Sequence, residues 1–360
     1  MNSSALHTIE LTHDRPARGL LGLAERGLIP DSVLRAGIRQ LCAQRLREER
    51  AGGLTAQAAR FAQRIDELRG SPIAIHADAA NTQHYELPPE FFQLCLGPLL
   101  KYSSCYYPTG SESLAEAETA MLELYGERAE LRNDQRILEL GCGWGSLTLW
   151  MAEQYPNSSI TAVSNSHSQR LYIEKQCRQR GLINVHVITQ DINTLALDVA
   201  QFDRCVSVEM FEHMRNYQAL LRRIGSWLRP GGKLFVHLFA HRTLMYPFET
   251  NGSGNWMGRH FFTGGLMPAS DTLLWFQRNL QIEQRWHVDG THYQLTANQW
   301  LENQDRQHAA VMTVLERAYG GSAALWFQRW RMFWMACAEL FGYAGGQEWL
   351  VAHYRFSRPA

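Results

Sequence analysis

Short apolar runs alternate with amphipathic stretches through the middle of the chain. Residues 136–140 form a first apolar run, followed by a glycine-rich turn and a helical stretch over 146–155. A second run at 160–163 precedes a helix over 168–180, and a third strand is predicted at 185–190. Residues 202–208 form a fourth strand, followed by a helix over 217–228. Pro230-Gly231-Gly232 stops that helix, and a fifth strand is expected at 233–239. Strands alternating with helices predict a parallel sheet covered on both faces, and right-handed crossovers make it doubly wound. After residue 239 the alternation breaks. Residues 241–269 hold Gly252, Gly254, Gly258, Gly264, Gly265 and Pro268 and are predicted to be a long insertion. Strands at 280–288 and 349–356 finish the sheet at seven, and 296–341, rich in Trp and Phe, is mostly helical.

The beginning of the chain follows a different pattern. Residues 1–30 are punctuated by Pro16, Gly19, Gly22, Gly27 and Pro30 and are expected to be a loose lead-in. Asp31 is predicted to cap a helix to residue 50, with Leu34, Ile38, Leu41 and Cys42 on one face. Thr55 is predicted to cap a second helix to residue 69, with Phe61, Ile65 and Leu68 on one side. The expected division is a lead-in and cap helices over 1–80 and a core over 81–295 with the insertion at 241–269. A helical cap over 296–345 and a final core strand over 346–360 complete it.

Composition narrows the function classes. Of 360 residues, 45% are hydrophobic and 19% charged, enough apolar material for a packed core. Lys+Arg and Asp+Glu are 35 each, so net charge is zero and gives no general pull toward nucleic acid. No apolar run approaches the ~20 residues that span a bilayer, and residues 1–30 hold no apolar signal block. The seven cysteines are scattered without a CxxC pair, which argues against a metal site or disulfide framework and points to a reduced cytoplasmic setting.

The chemistry begins at Glu139-Leu140-Gly141-Cys142-Gly143-Trp144-Gly145, between the first strand and its helix. Glycines there let backbone approach a ligand and leave helix N–H groups free to bind it. The spacing is G-x-G-x-G rather than the dinucleotide G-x-G-x-x-G. The second strand ends in Ser164-Asn165-Ser166, without the acid that a nicotinamide-binding fold places on the ribose. This loop resembles motif I of the S-adenosylmethionine-dependent methyltransferases.

Further motifs carry that resemblance to one family. Val208-Glu209-Met210-Phe211-Glu212-His213, Gln83-His84-Tyr85-Glu86-Leu87, Tyr102-Ser103-Ser104-Cys105-Tyr106-Tyr107 and Phe262-Thr263-Gly264-Gly265-Leu266-Met267-Pro268 are similar to segments of the cyclopropane-fatty-acyl-phospholipid synthase family. Glu209, Glu212-His213-Met214-Arg215-Asn216-Tyr217 and Ala338-Glu339-Leu340-Phe341-Gly342-Tyr343 resemble its coclaurine-type N-methyltransferase branch, which methylates benzylisoquinoline amines. The resemblance covers about residues 80–357. It implies a Rossmann-like class I methyltransferase fold with S-adenosyl-L-methionine as cofactor, S-adenosyl-L-homocysteine as product and no metal. Tyr102 and Ser103 would close over the methionine part. Glu139, Gly141, Gly143 and Gly145 would form the loop. Ser164, Asn165 and Gln169 would sit on the ribose side, with Asp191 and Ile192 near the adenine. Glu212 and His213 would hold or deprotonate an amine, and Glu209 would add a second carboxylate. Glu212, His237, Phe239 and Tyr293 match a pocket that takes bicarbonate in lipid-cyclopropanating members, but the cysteine of that pocket is Ser104 here, which favours a side-chain base. Trp330 and Phe333 are either core or an aromatic wall for the acceptor.

The expected partner is a small aromatic amine, with no nucleic acid. Oligomeric state is open, a homodimer included. Two rivals stand beside this reading. One is methylation or cyclopropanation of phospholipid acyl chains, the only case calling for membrane contact. The other is a non-catalytic S-adenosylmethionine sensor, which would have no need of Glu209, Glu212 and His213.

Overall fold

The computed structural model describes residues 15–75, 87–252 and 255–359. The predicted strands and helices of the middle of the chain form in order. They are β1 (Arg136–Leu140), β2 (Ser159–Ser164), β3 (Val185–Thr189), β4 (Phe202–Val208) and β5 (Leu228–His241). β1 shows why: Ile137, Leu138 and Leu140 are fully buried, as in a strand covered on both faces. Each such side chain contributes about 1.5–3 kcal/mol by leaving water. These five strands pair in parallel. A short pair, β6 (Tyr246–Pro247) and β7 (Leu266–Met267), lies in the predicted insertion. β8 (Gln281–Val288) and β9 (Trp349–Ser357) complete a seven-stranded sheet in the order β3-β2-β1-β4-β5-β9-β8, with β9 antiparallel to both neighbours.

The helices, in chain order, are α1 (Gly19–Glu25), α2 (Asp31–Glu49), α3 (Gly53–Gly70), α4 (Pro89–Cys95), α5 (Leu114–Arg128), α6 (Ser146–Gln154), α7 (His167–Arg180), α8 (Tyr217–Trp227), α9 (Trp256–His260), α10 (Gly290–Arg306), α11 (His308–Tyr319) and α12 (Ala323–Phe341). The last three form the helical cap, packed with α2 and α4. α10 starts at Gly290, earlier than expected, because the Asp289 side chain caps it by accepting from the Thr291 N–H at 2.9 Å. Two other caps differ from expectation. Pro30 precedes α2, and Asp31 is its first residue, paired with Arg331 of α12 at 2.7 Å. Gly52 rather than Thr55 caps α3. The structure also runs β5 through Pro230-Gly231-Gly232, with a register shift in its pairing to β4.

The expected loose lead-in differs more. Residues 1–14 lie outside the described residues, but α1 is docked. Glu25, 1% exposed, accepts from Arg329 Nε of α12 at 3.0 Å and from Trp256 Nε1 of α9 at 2.9 Å. A buried arginine and carboxylate neutralise each other, so this pair ties the start of the chain to both the insertion and the cap.

Candidate active site

A cleft opens at the C-terminal ends of β1 to β4, where ligands bind in doubly wound sheets. The loop after β1 forms its floor. Gly143 has φ +50°, and a Cβ there would meet nothing, so its backbone is open to a ligand. Gly145, φ +83°, instead lets α6 approach α7: a Cβ would stand 2.6 Å from Ile173. Gly141 lines the cleft beside Met210. Glu139 accepts from Thr148 Oγ1 at 2.5 Å, and burial pushes its carboxyl up to about 8.

The cleft also carries buried donors. Ser164 Oγ donates to Gln169 Oε1 at 2.6 Å, which leaves Gln169 Nε2 buried and, among the described residues, unpartnered. Ser146 Oγ and Trp144 Nε1 are in the same position, and all three residues line the cleft. Buried polar groups are seldom left unsatisfied without a functional reason. Tyr102, Ser103, Asn165, Asp191 and Ile192 line it too. A hydroxyl- and amide-lined cleft around an open glycine backbone fits S-adenosylmethionine. No cluster among the described residues fits a metal ion.

At the end of β4 stands Glu209. Its φ is +46°, a conformation that costs a non-glycine residue free energy and is retained where surroundings enforce it. Here its N–H donates to the His237 carbonyl at 2.9 Å. Its Oε1 accepts from the Ser104 N–H at 2.9 Å and faces His237 Nε2 at 3.1 Å. Its Oε2 accepts from Tyr293 OH at 2.8 Å. Burial raises the carboxyl to about 7, against the opposing pull of Lys101 and of the Ser104 and Tyr293 donors. Thus His237 and Tyr293, two of the positions expected around a bicarbonate, converge on the carboxylate of Glu209, together with the backbone of Ser104, which stands where that pocket's cysteine is expected.

Glu212 lies behind it, fully buried. Its Oε1 accepts from the Phe239 N–H at 2.6 Å, while Oε2 has no partner among the described residues. Burial, then the neighbouring Glu209, push its carboxyl well up. His213 and Glu209 both line the cleft, and the His213 ring packs on Phe262 at 4.6 Å. Phe239 packs between Phe262 and Phe341. Trp330 is fully buried among Phe91, Phe261 and Trp334, a core position, while Phe333 stacks on Phe261 at 4.4 Å. His237, Phe239, Tyr293, Trp330, Phe333 and Glu212 thus lie outside the lining of the cleft, one layer behind it.

Sequence reasoning missed a group beneath Glu209. Lys101, 2% exposed, lines the cleft and donates from Nζ to Ser103 Oγ and to the Ser104 carbonyl, both at 2.6 Å. Burial lowers its pKa. One signal was available: it is one of only three lysines in the chain, with Lys175 and Lys233, and adjoins the Tyr102 motif. Tyr125 and His353, which meet His237 from distant segments, and Arg128, which meets His353, carried no such signal.

The cyclopropane synthetase model described as "Mycolic acid cyclopropane synthetase" matches residues 74–346. (S)-Coclaurine N-methyltransferase of Thalictrum flavum subsp. glaucum is 36% identical over 344 residues, covering 94% of this chain and 95% of its own. A crystal structure of coclaurine N-methyltransferase bound to N-methylheliamine and SAH superposes with a TM-score of 0.90 at 36% identity, covering 93% of this chain and 98% of that one. Cyclopropane-fatty-acyl-phospholipid synthase of Escherichia coli (strain K12) is 30% identical over 222 residues, 61% of this chain and 55% of its own.

Proposed function

This chain belongs to the mycolic acid cyclopropane synthetase family and is an S-adenosylmethionine-dependent methyltransferase, and from that premise we propose that it N-methylates a small aromatic amine of the benzylisoquinoline kind. The observation that carries this reading is the seat of Glu209: a side-chain carboxylate occupies His237 and Tyr293, two of the positions that the resemblance assigns to bicarbonate. Acyl-chain chemistry would call for that anion; an amine calls for fixed negative charge and a base.

When bound, S-adenosylmethionine supplies a transferable methyl group on its sulfonium. Gly141, Gly143, Ser164, Gln169, Asp191, Tyr102 and Ser103 would hold it. Two carboxyl groups raised by burial gain from a cation, because it restores the charge that desolvation opposes. Glu209, with three donors on its oxygens, is rigid and draws the ammonium form of the amine to the cleft. An amine must shed its proton to expose a lone pair. His213, at the cleft, and Glu212, one layer behind it with one oxygen unpartnered among the described residues, are the groups with capacity to take it. Aligning donor and acceptor removes a large part of the barrier of an in-line displacement, and Phe239 packed on Phe262 and Phe333 stacked on Phe261 stiffen the layer behind the cleft.

The setting is a reduced cytoplasm, supported by seven free, buried cysteines. Among the described residues no helix is long and apolar enough to cross a membrane. The test is incubation with S-adenosylmethionine carrying a labelled methyl group and two panels, benzylisoquinoline-like amines and unsaturated phospholipids. Label in amines supports the proposal. Label in lipid alone overturns it, and binding with no transfer to either panel points to a sensor.

A further inference from the structure

We propose that Arg128 and His353 are positioning residues that, through His237, fix an N–H donor on the Glu209 carboxylate. The inference rests on the reading of Glu209 given above.

The arrangement is set by strand register. His353 on β9 pairs with His237 on β5 and with Trp286 on β8, so three adjacent strands present Trp286, His353 and His237 in a row. Both imidazoles are fully buried, their centroids 4.8 Å apart. The guanidinium of Arg128, the last residue of α5, lies 5.0 Å over the Trp286 ring, and its Nη1 is 2.6 Å from His353 Nδ1.

Only one hydrogen placement satisfies this row. A guanidinium donates and never accepts, so His353 Nδ1 accepts. The ring hydrogen of neutral His353 then sits on Nε2, 2.9 Å from His237 Nδ1, which accepts in turn. The hydrogen of His237 is left on Nε2, facing Glu209 Oε1 at 3.1 Å. Tyr125 also meets His237 and accommodates this tautomer without selecting it. It lies one turn before Arg128 on α5, and its OH stands 2.9 Å from His237 Nδ1. Burial holds that phenol protonated, and its hydroxyl can donate or accept at that nitrogen. Burial and the nearby positive charges hold both imidazoles neutral. One donor-only side chain, at the last residue of α5, therefore directs every hydrogen of the row toward Glu209. Tautomer control of this kind matters in catalysis: a histidine in the wrong tautomer leaves geometry intact and removes activity.

The direct test is nitrogen NMR of ligand-free protein labelled with ¹⁵N-histidine, with His237 and His353 assigned by single substitutions. The expected result is the Nε2–H form for both rings. An Nδ1–H form on either ring overturns the proposal, whatever the variants do. Arg128→Met should mix the tautomers and lower amine kcat by about tenfold or more, with cofactor KM within about twofold. Arg128→Lys, also a pure donor, should restore both the spectra and most of kcat. Unchanged tautomers in a folded Arg128→Met variant contradict the proposal. Glu209→Gln separates the two readings: wild-type turnover there removes the role of Glu209, while the spectra still decide the tautomers.

Discussion

Glu209 and His237 are joined twice: the Glu209 N–H donates to the His237 carbonyl at 2.9 Å, and His237 Nε2 faces Glu209 Oε1 at 3.1 Å. The main-chain bond holds Glu209 in its left-handed conformation, and the side-chain bond aims its carboxylate. Together they turn the end of β4 into a fixed carboxyl group at the mouth of the cleft.

The first prediction concerns the cofactor. Gly143→Val places a branched side chain where the backbone is open to the ligand, at a φ that L residues rarely adopt. Calorimetry should find S-adenosylmethionine binding lost while circular dichroism finds the fold kept. Undiminished affinity in the folded variant would remove the loop from the account.

A second prediction concerns the residues after β4. His213→Ala and Glu212→Ala should each lower turnover by about 10²–10⁴-fold where proton removal limits the rate. Cofactor affinity should hardly change, because the cofactor side of the cleft is built from the ends of β1 to β3. Raising pH should partly rescue a variant that lacks the base by supplying more neutral amine. Full turnover in both variants across pH would make the pair structural.

Stability should fall with pH near neutrality in the ligand-free protein. Glu139 is raised to about 8 and Glu209 to about 7, both by burial. A carboxyl raised on folding binds its proton in the native state after the unfolded chain has lost it, so its stabilisation is full at low pH and fades as pH rises through the folded value. His237 and His353 are lowered and act in the opposite sense, but only below the ordinary histidine range. Thermal unfolding should therefore show Tm decreasing between about pH 6.5 and 8. A Tm rising across that window would contradict the assigned burial of these carboxyls.

The start of the chain yields a further test. Glu25→Ala leaves Arg329, 1% exposed, without its carboxylate. Breaking a buried pair from one side costs about 3–5 kcal/mol. Denaturant unfolding should register that loss; a change under about 1 kcal/mol, the size of an exposed pair, would show that α1 is the loose lead-in its glycines suggest.

The sequence carried the sheet clearly because each of β1 to β5 combines an apolar run with a turn or helix signal of its own. The glycine loop and Glu209-Met210-Phe211-Glu212-His213 were legible for the same reason: their chemistry is contiguous in the chain. The early start of α10 was readable from Asp289-Gly290-Thr291, a capping signal that the aromatic pattern downstream obscured. The docking of α1 was hidden because Glu25 looks like a surface acid until Arg329, 304 residues away, covers it. The row from Arg128 to His237 was hidden likewise, since β-register between strands distant in the chain brings His353 to His237. Local pattern reports what a segment does by itself, and these contacts belong to no segment.

The central claim is that the Glu209 carboxylate, not a captured anion, serves the acceptor. The measurement is amine methylation in bicarbonate-depleted and bicarbonate-supplemented buffer, for the wild-type protein and for Glu209→Ala. The account predicts a wild-type rate indifferent to bicarbonate and a slow variant that bicarbonate or formate partly restores through the vacated Ser104, His237 and Tyr293 donors. A wild-type enzyme that loses its activity on bicarbonate depletion, or a Glu209→Ala variant as fast as wild type in depleted buffer, would contradict it.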